Sequence, residues 1–67
     1  MELKAYEFEF ELIDETTGIS SGKQKLDIMI TGVDLIDAAK NCQAHILDKI
    51  EGNYAVIIYY NGEIVDF

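Results

Sequence analysis

Residues 31–52 are the one stretch of this 67-residue chain with the spacing and length of a sustained helix. Whatever else the chain forms must cover the apolar stripe of that helix. Leu35, Ala39, Cys42, Ile46 and Ile50 recur at steps of three and four, which stacks them on one face. Ile36 and Leu47 widen the stripe to a width that suits packing on a sheet. Thr31-Gly32-Val33-Asp34 has the spacing of a capping box, with Thr31 as the cap. Asp34 and Asp37 then fall in the first turn, where carboxylates favour the positive end of the helix dipole. Asp34, Asp37, Asn41 and Asp48 share the face opposite the stripe. Lys49 stands in the last turn, and Gly52 is placed as a left-handed terminator.

The remaining sequence reads as strands. Over residues 3–13, Tyr6, Phe8, Phe10 and Leu12 alternate with Glu7, Glu9 and Glu11, so one side is aromatic and the other carboxylate. Thr16-Thr17-Gly18 reads as a three-residue hairpin loop with a left-handed glycine. That loop makes Glu15 and Ile19 the closing pair and sets Phe8 opposite Leu26 and Tyr6 opposite Ile28. It also places Glu9 opposite Lys25 and Glu11 opposite Lys23. Such cross-strand pairs contribute about 0.2–1 kcal/mol each. Ser20-Ser21-Gly22 is a place for a bulge or bend. The second strand runs to about Thr31, with Leu26, Ile28 and Ile30 inward. After the helix, Tyr54–Tyr60 is rich in β-branched and aromatic residues. Asn61-Gly62 is a two-residue type I′ turn signal that returns the chain through residues 63–67. Val56, Ile58, Val65 and Phe67 then share one face, and Ile57, Tyr59 and Ile64 the other.

The expected fold is a single α+β domain over residues 1–67, in the order ββαββ. It is an antiparallel four-stranded sheet made from two hairpins, with one helix packed on one face. The helix carries the chain back over the sheet, which favours strand order 2-1-3-4. One helix covers only one face, so Ile57, Tyr59 and Ile64 stay open, with Leu3, Ile13 and Met29 as neighbours. A contiguous apolar patch of this kind marks an interaction surface. A symmetric homodimer through Ile57, Tyr59, Ile64 and Met29 is the expected solution, the more so because a chain this short buries only about 60% of its surface alone.

Composition narrows the function classes. Thirteen acids face five lysines and no arginine, giving a formal charge of −8. Direct nucleic-acid binding and anionic membranes both call for a basic surface and are disfavoured. An acidic surface suits a basic protein partner. With 49% apolar residues in strict periodicity, the chain has the means to form a core. The one cysteine, Cys42, precludes an intramolecular disulfide and lies on the apolar helix face, which suits a reducing compartment. No signal peptide is visible, and Tyr54–Tyr60 is far too short to span a bilayer. A soluble cytoplasmic protein is expected.

No pattern of residues carries chemistry. His45 and Asp48 supply two ligands from adjacent helical turns, whereas a zinc site takes three or four. Asp14-Glu15-Thr16-Thr17-Gly18 lacks the glutamate of a calcium loop, since Lys25 occupies the twelfth position. There is no nucleophile–histidine spacing and no glycine-rich phosphate loop. The chain is read as no enzyme, with no cofactor and no metal.

The acidic ridge carries the functional expectation. Residues 1–15 hold Glu2, Glu7, Glu9, Glu11, Asp14 and Glu15 against Lys4 alone. Alternate strand residues repeat at about 6.7 Å, against one charge per about 3.4 Å on each strand of duplex DNA. In size, acidity and single-domain α+β pattern the chain resembles the small acidic DNA-mimic inhibitors that phages direct against host DNA-binding proteins. Targets of that class include nucleoid proteins such as HU, uracil-DNA glycosylase and CRISPR effectors. The resemblance is one of type and extends to no sequence motif. It implies a homodimeric inhibitor in the host cytoplasm that occupies the DNA site of a basic host protein. The residues expected to bind that partner are Glu7, Glu9, Glu11, Asp14 and Glu15, joined by Asp34, Asp37 and Asp48. The alternative is a small non-catalytic interaction module that docks through the apolar sheet face.

Overall fold

The computed structural model describes residues 2–67 and is an α+β fold. Among the described residues six strands and one helix follow in the order β1 (Lys4–Tyr6), β2 (Glu9–Asp14), β3 (Ser20–Lys25), β4 (Ile30–Gly32), α1 (Leu35–Leu47), β5 (Tyr54–Tyr60) and β6 (Glu63–Ile64). All pairings are antiparallel. The main sheet has the order β3-β2-β5-β6, which is the expected 2-1-3-4, and β1 and β4 form a separate two-stranded ribbon.

The first two strands of the expected fold are each broken in two. Phe8 is the hinge of the first break, and its side chain is the most deeply inserted aromatic of the core. The register around the break holds: Glu9 pairs with Lys25 and Glu11 with Lys23, and the Leu26 amide donates to the Phe8 carbonyl at 3.0 Å. Beyond it, the chain at Asp27, Ile28 and Met29 leaves the sheet, and pairing resumes two residues later. Tyr6 therefore faces Ile30, not Ile28, and Ile28 is 45% exposed instead of inward.

The β2–β3 turn is one residue longer than expected. Asp14 and Ile19 close it, and the Gly18 amide donates to the Asp14 carbonyl at 2.6 Å. The Asp14 carboxylate accepts from the Thr16 amide at 2.8 Å, a local bond that favours the wider loop. Gly18 takes the expected left-handed conformation, φ 75°. The register shift falls between Glu11 and Ile13, opposite the serine–glycine stretch where a bulge was anticipated. At the other hairpin, Asn61 (φ 51°) and Gly62 (φ 82°) both adopt the positive φ of a type I′ turn, and Tyr60 pairs with Glu63.

The helix begins three residues later than the expected start and ends earlier, because its flanks have other work. Thr31 and Gly32 pair with Ala5 and Lys4 in the ribbon, so neither starts the helix. Asp34 is the cap instead, accepting from the Asp37 amide at 2.8 Å, while the Asp37 carboxylate accepts from the Val33 amide at 3.0 Å. The capping signal is thus moved one turn along, with the return bond taken by the amide of Val33, the residue before the cap, and not by that of Asp34. At the far end Asp48 is the cap, and Gly52 (φ 104°) bends the following loop without terminating the helix. Ala38, Ala39, Cys42 and Ile46 face the core. Ile36 and Leu47 do not widen the stripe, being exposed, and neither does Phe67 join the inner face.

The core joins that helical stripe to Phe8, Ile30 and Ile58, with Phe10, Leu12, Leu26, Val56 and Val65 packed around it. Full burial of a side chain such as Phe8 or Ile58 stabilises by about 1.5–3 kcal/mol. Gly32 is the closest point between ribbon and helix. A Cβ there would lie 2.4 Å from the Ala38 nitrogen and 2.7 Å from its Cα. Backbone atoms of a packed helix cannot yield by that much. Gly32→Ala should therefore lower the unfolding free energy by about 1–3 kcal/mol in urea titrations; a change below about 0.5 kcal/mol would contradict the close approach. Asp34→Ala should cost about 1 kcal/mol through loss of the cap.

Candidate functional site

With α1 on one side of the main sheet, the other side is open, and its composition follows from the register. Lys25, Glu9, Tyr59 and Ile64 stand in one row across β3, β2, β5 and β6. Lys23, Glu11 and Ile57 form the next row, followed by Ser20, Ile13 and Ala55. The face therefore grades from cationic and hydroxyl groups on β3, through two carboxylates on β2, to an apolar column on β5 and β6. Ile64 is 58% exposed, and Ile13, Ile57 and Tyr59 are half-buried.

A polar network ties the middle of this face together. The Tyr59 hydroxyl donates to Glu11 Oε1 at 2.7 Å, and Ser20 Oγ donates to Glu11 Oε2. Lys23 Nζ lies 4.2 Å from the centre of the Tyr59 ring, in cation–π range. The Ser20 and Tyr59 hydrogen bonds, aided by the charge of Lys23, hold the Glu11 carboxyl below its ordinary value of 4.5. The same bond to Glu11 raises the Tyr59 phenol above its ordinary value of 10.0, since ionisation would remove the donated proton. The network ties Tyr59, Glu11, Ser20 and Lys23 together across three strands.

The eight acids expected to bind a partner divide between the two sides of the fold. Glu9 and Glu11 lie on the open face, each opposite a lysine. Glu7 is exposed at the break between β1 and β2. Asp14 is occupied in the hairpin turn, with Glu15 exposed beside it. Asp34 and Asp37 are spent on capping α1, and Asp48 ends it, all three across the sheet from Glu9 and Glu11. The strand acids Glu9 and Glu11 and the helix acids therefore do not share one surface. Of the apolar residues, Ile57, Tyr59 and Ile64 share the open face as expected. Met29 lies off the sheet, lining with Tyr59 and Tyr60 a groove at the β1–β2 break.

Among the described residues no three His, Cys, Asp or Glu side chains converge as a metal site. Cys42 is fully buried, and burial pushes its thiol up to about 11, so it is not a thiolate nucleophile. No described helix is long and apolar enough to cross a membrane. Sequence reasoning anticipated the Glu11–Lys23 pairing but missed Ser20 and the Tyr59 bond. The latter joins residues 48 apart in sequence, and only the β2–β5 register reveals it. Comparison with protein-family models, with curated proteins and with solved structures gave no match.

The pH response follows from these shifts. Glu11 has a lowered folded-state value, so its contribution is full above about pH 4.5 and is lost as pH falls through the lowered value. Tyr59 has a raised value, so its contribution is full below pH 10.0 and is lost as pH rises through the raised value. Urea midpoints across pH should show Glu11→Gln flattening the acid limb and Tyr59→Phe flattening the alkaline limb. Unchanged limbs in both variants would contradict the network.

Proposed function

We propose that the chain is a small, non-catalytic protein-interaction module of the cytoplasm, which docks a basic partner onto the open face of its sheet. The observation that carries this reading is the group of apolar residues on the side away from the helix, Ile57, Tyr59 and Ile64 on β5 and β6 with Ile13 on β2. Apolar residues grouped in this way on one face, with a polar border, are the usual composition of a binding surface. Lys23, Lys25, Glu9 and Glu11 form the border, where charges set orientation and encounter rate more than affinity. The net charge of −8 favours a partner of opposite sign. Such a surface needs neither catalytic groups nor a cofactor.

The DNA-mimic reading has the net charge and the acid-rich first fifteen residues in its support. The arrangement of the acids favours it less. Only Glu9 and Glu11 succeed one another on a single face, and each is opposed by a lysine, whereas phosphates repeat without neutralising partners. Self-association through the same open face is the remaining arrangement, and sedimentation distinguishes it by a mass that rises with protein concentration.

Retention of a partner from nuclease-treated lysate on immobilised protein separates these readings. The docking face predicts retention that persists near 1 M salt, where screening reaches about 3 Å. It also predicts at least tenfold loss with Ile64→Asp, whose exposed position leaves the fold unchanged. Loss confined to the Glu9→Lys/Glu11→Lys double variant, together with displacement by duplex DNA, would overturn it in favour of mimicry.

A further inference from the structure

The break between β1 and β2 does more than bend a strand. It opens a groove of about 470 Å³ where the β1–β4 ribbon parts from the main sheet, ending at the Asn61 turn. Tyr6, Tyr59 and Tyr60 line it together with Met29, and Glu7 and Glu9 add two carboxylates. Lys25, opposite Glu9, is the one cation of the lining, so one carboxylate is left without a counter-charge. The aromatic walls are set by packing. The Tyr6 and Tyr60 rings meet edge to face at 5.6 Å, and both pack against buried Phe8, at 6.0 and 5.8 Å.

We infer that this groove is a binding site for a guanidinium group, an arginine side chain presented by a basic partner protein. Arginine is the cation that matches all three features of the lining. Its planar face stacks on tyrosine, its aliphatic stem suits the soft surface of Met29, and its forked N–H donors meet carboxylates two at a time. Lysine offers a point charge without the planar face. The same sheet already places a cation on tyrosine nearby, Lys23 over the other wall-forming residue, Tyr59. The groove shares Tyr59 with the apolar group of the open face but includes none of Ile13, Ile57 and Ile64, so it is an adjoining subsite.

The basic character of the partner rests on the proposed function; the groove itself is tested without any partner. The probe is an acetylated and amidated Gly-Gly-Arg-Gly-Gly peptide, titrated into the full chain at fixed ionic strength and followed by NMR. The Met29 methyl and the Tyr6, Tyr59 and Tyr60 rings should shift together, with one dissociation constant. The lysine peptide should bind several-fold more weakly, and the uncharged citrulline peptide at least tenfold more weakly. Glu7→Gln/Glu9→Gln should weaken arginine binding about tenfold. Glu15→Gln/Glu51→Gln removes the same charge elsewhere on the surface and should change it less than twofold. Equal losses in the two double variants, or equal binding of citrulline, would overturn the site and leave only diffuse attraction to an acidic chain. If the peptide fails while Ile64→Asp still releases the partner, the docking face stands and the groove does not.

Discussion

One helix has to serve a four-stranded sheet, and that shortage shapes the molecule. Thirteen residues make a rod about 20 Å long and roughly 10 Å across, enough for one face of β3-β2-β5-β6 and no more. The helix turns Ala38, Ala39, Cys42 and Ile46 to the core, and Ala38 lies against Gly32 of the ribbon at the closest approach. Phe8 and Ile58 fill the space between helix and sheet. The covered-side residues of the two central strands pack into this core, while Gln24 and Glu63 on the outer strands stay exposed, and the residues of the other side are left to water or to a partner. The alternation in β2 and β5 settles which is which: Phe10, Leu12, Val56 and Ile58 go inward, and Glu9, Glu11, Ile57 and Tyr59 outward.

The outward residues are not left loose. Tyr59 reaches diagonally from β5 to Glu11 on β2, Ser20 supplies a second donor from β3, and Lys23 covers the Tyr59 ring. A half-polar sheet face is thereby tied together across three strands. The break at Phe8 adds a second feature, since it turns the ribbon away from the sheet and exposes tyrosine and methionine beside two carboxylates. Both features arise where the regular hairpin pattern is interrupted or left uncovered.

Much of this was legible in the sequence. Alternation in residues 3–13, the Gly18 turn and Asn61-Gly62 together specified both hairpins, and the crossing helix specified strand order. The misses have a common physical cause. Thr31-x-x-Asp34 and Asp34-x-x-Asp37 satisfy the same capping grammar, and the choice between them is made by Gly32, which pairs with Lys4 and touches the Ala38 backbone. Ile28 reads as an inward strand residue until Asp27–Met29 is seen to leave the sheet. Asp34 and Asp37 read as first-turn acids still open to a partner until their carboxylates are found on the Asp37 and Val33 amides. Local pattern set the elements, and tertiary contact decided among their competing boundaries.

The central claim is that the open sheet face, and not the exposed side of the helix, is where a partner sits. Leu47 and Ile64 are both exposed apolar residues, 42% and 58%, on opposite layers of the fold. A photo-crosslinking amino acid placed singly at each position, in the cells that make the protein, compares the two layers directly. The account predicts a discrete adduct from position 64 and none from position 47. Adducts from position 47 alone, or the same adducts from both, would contradict it.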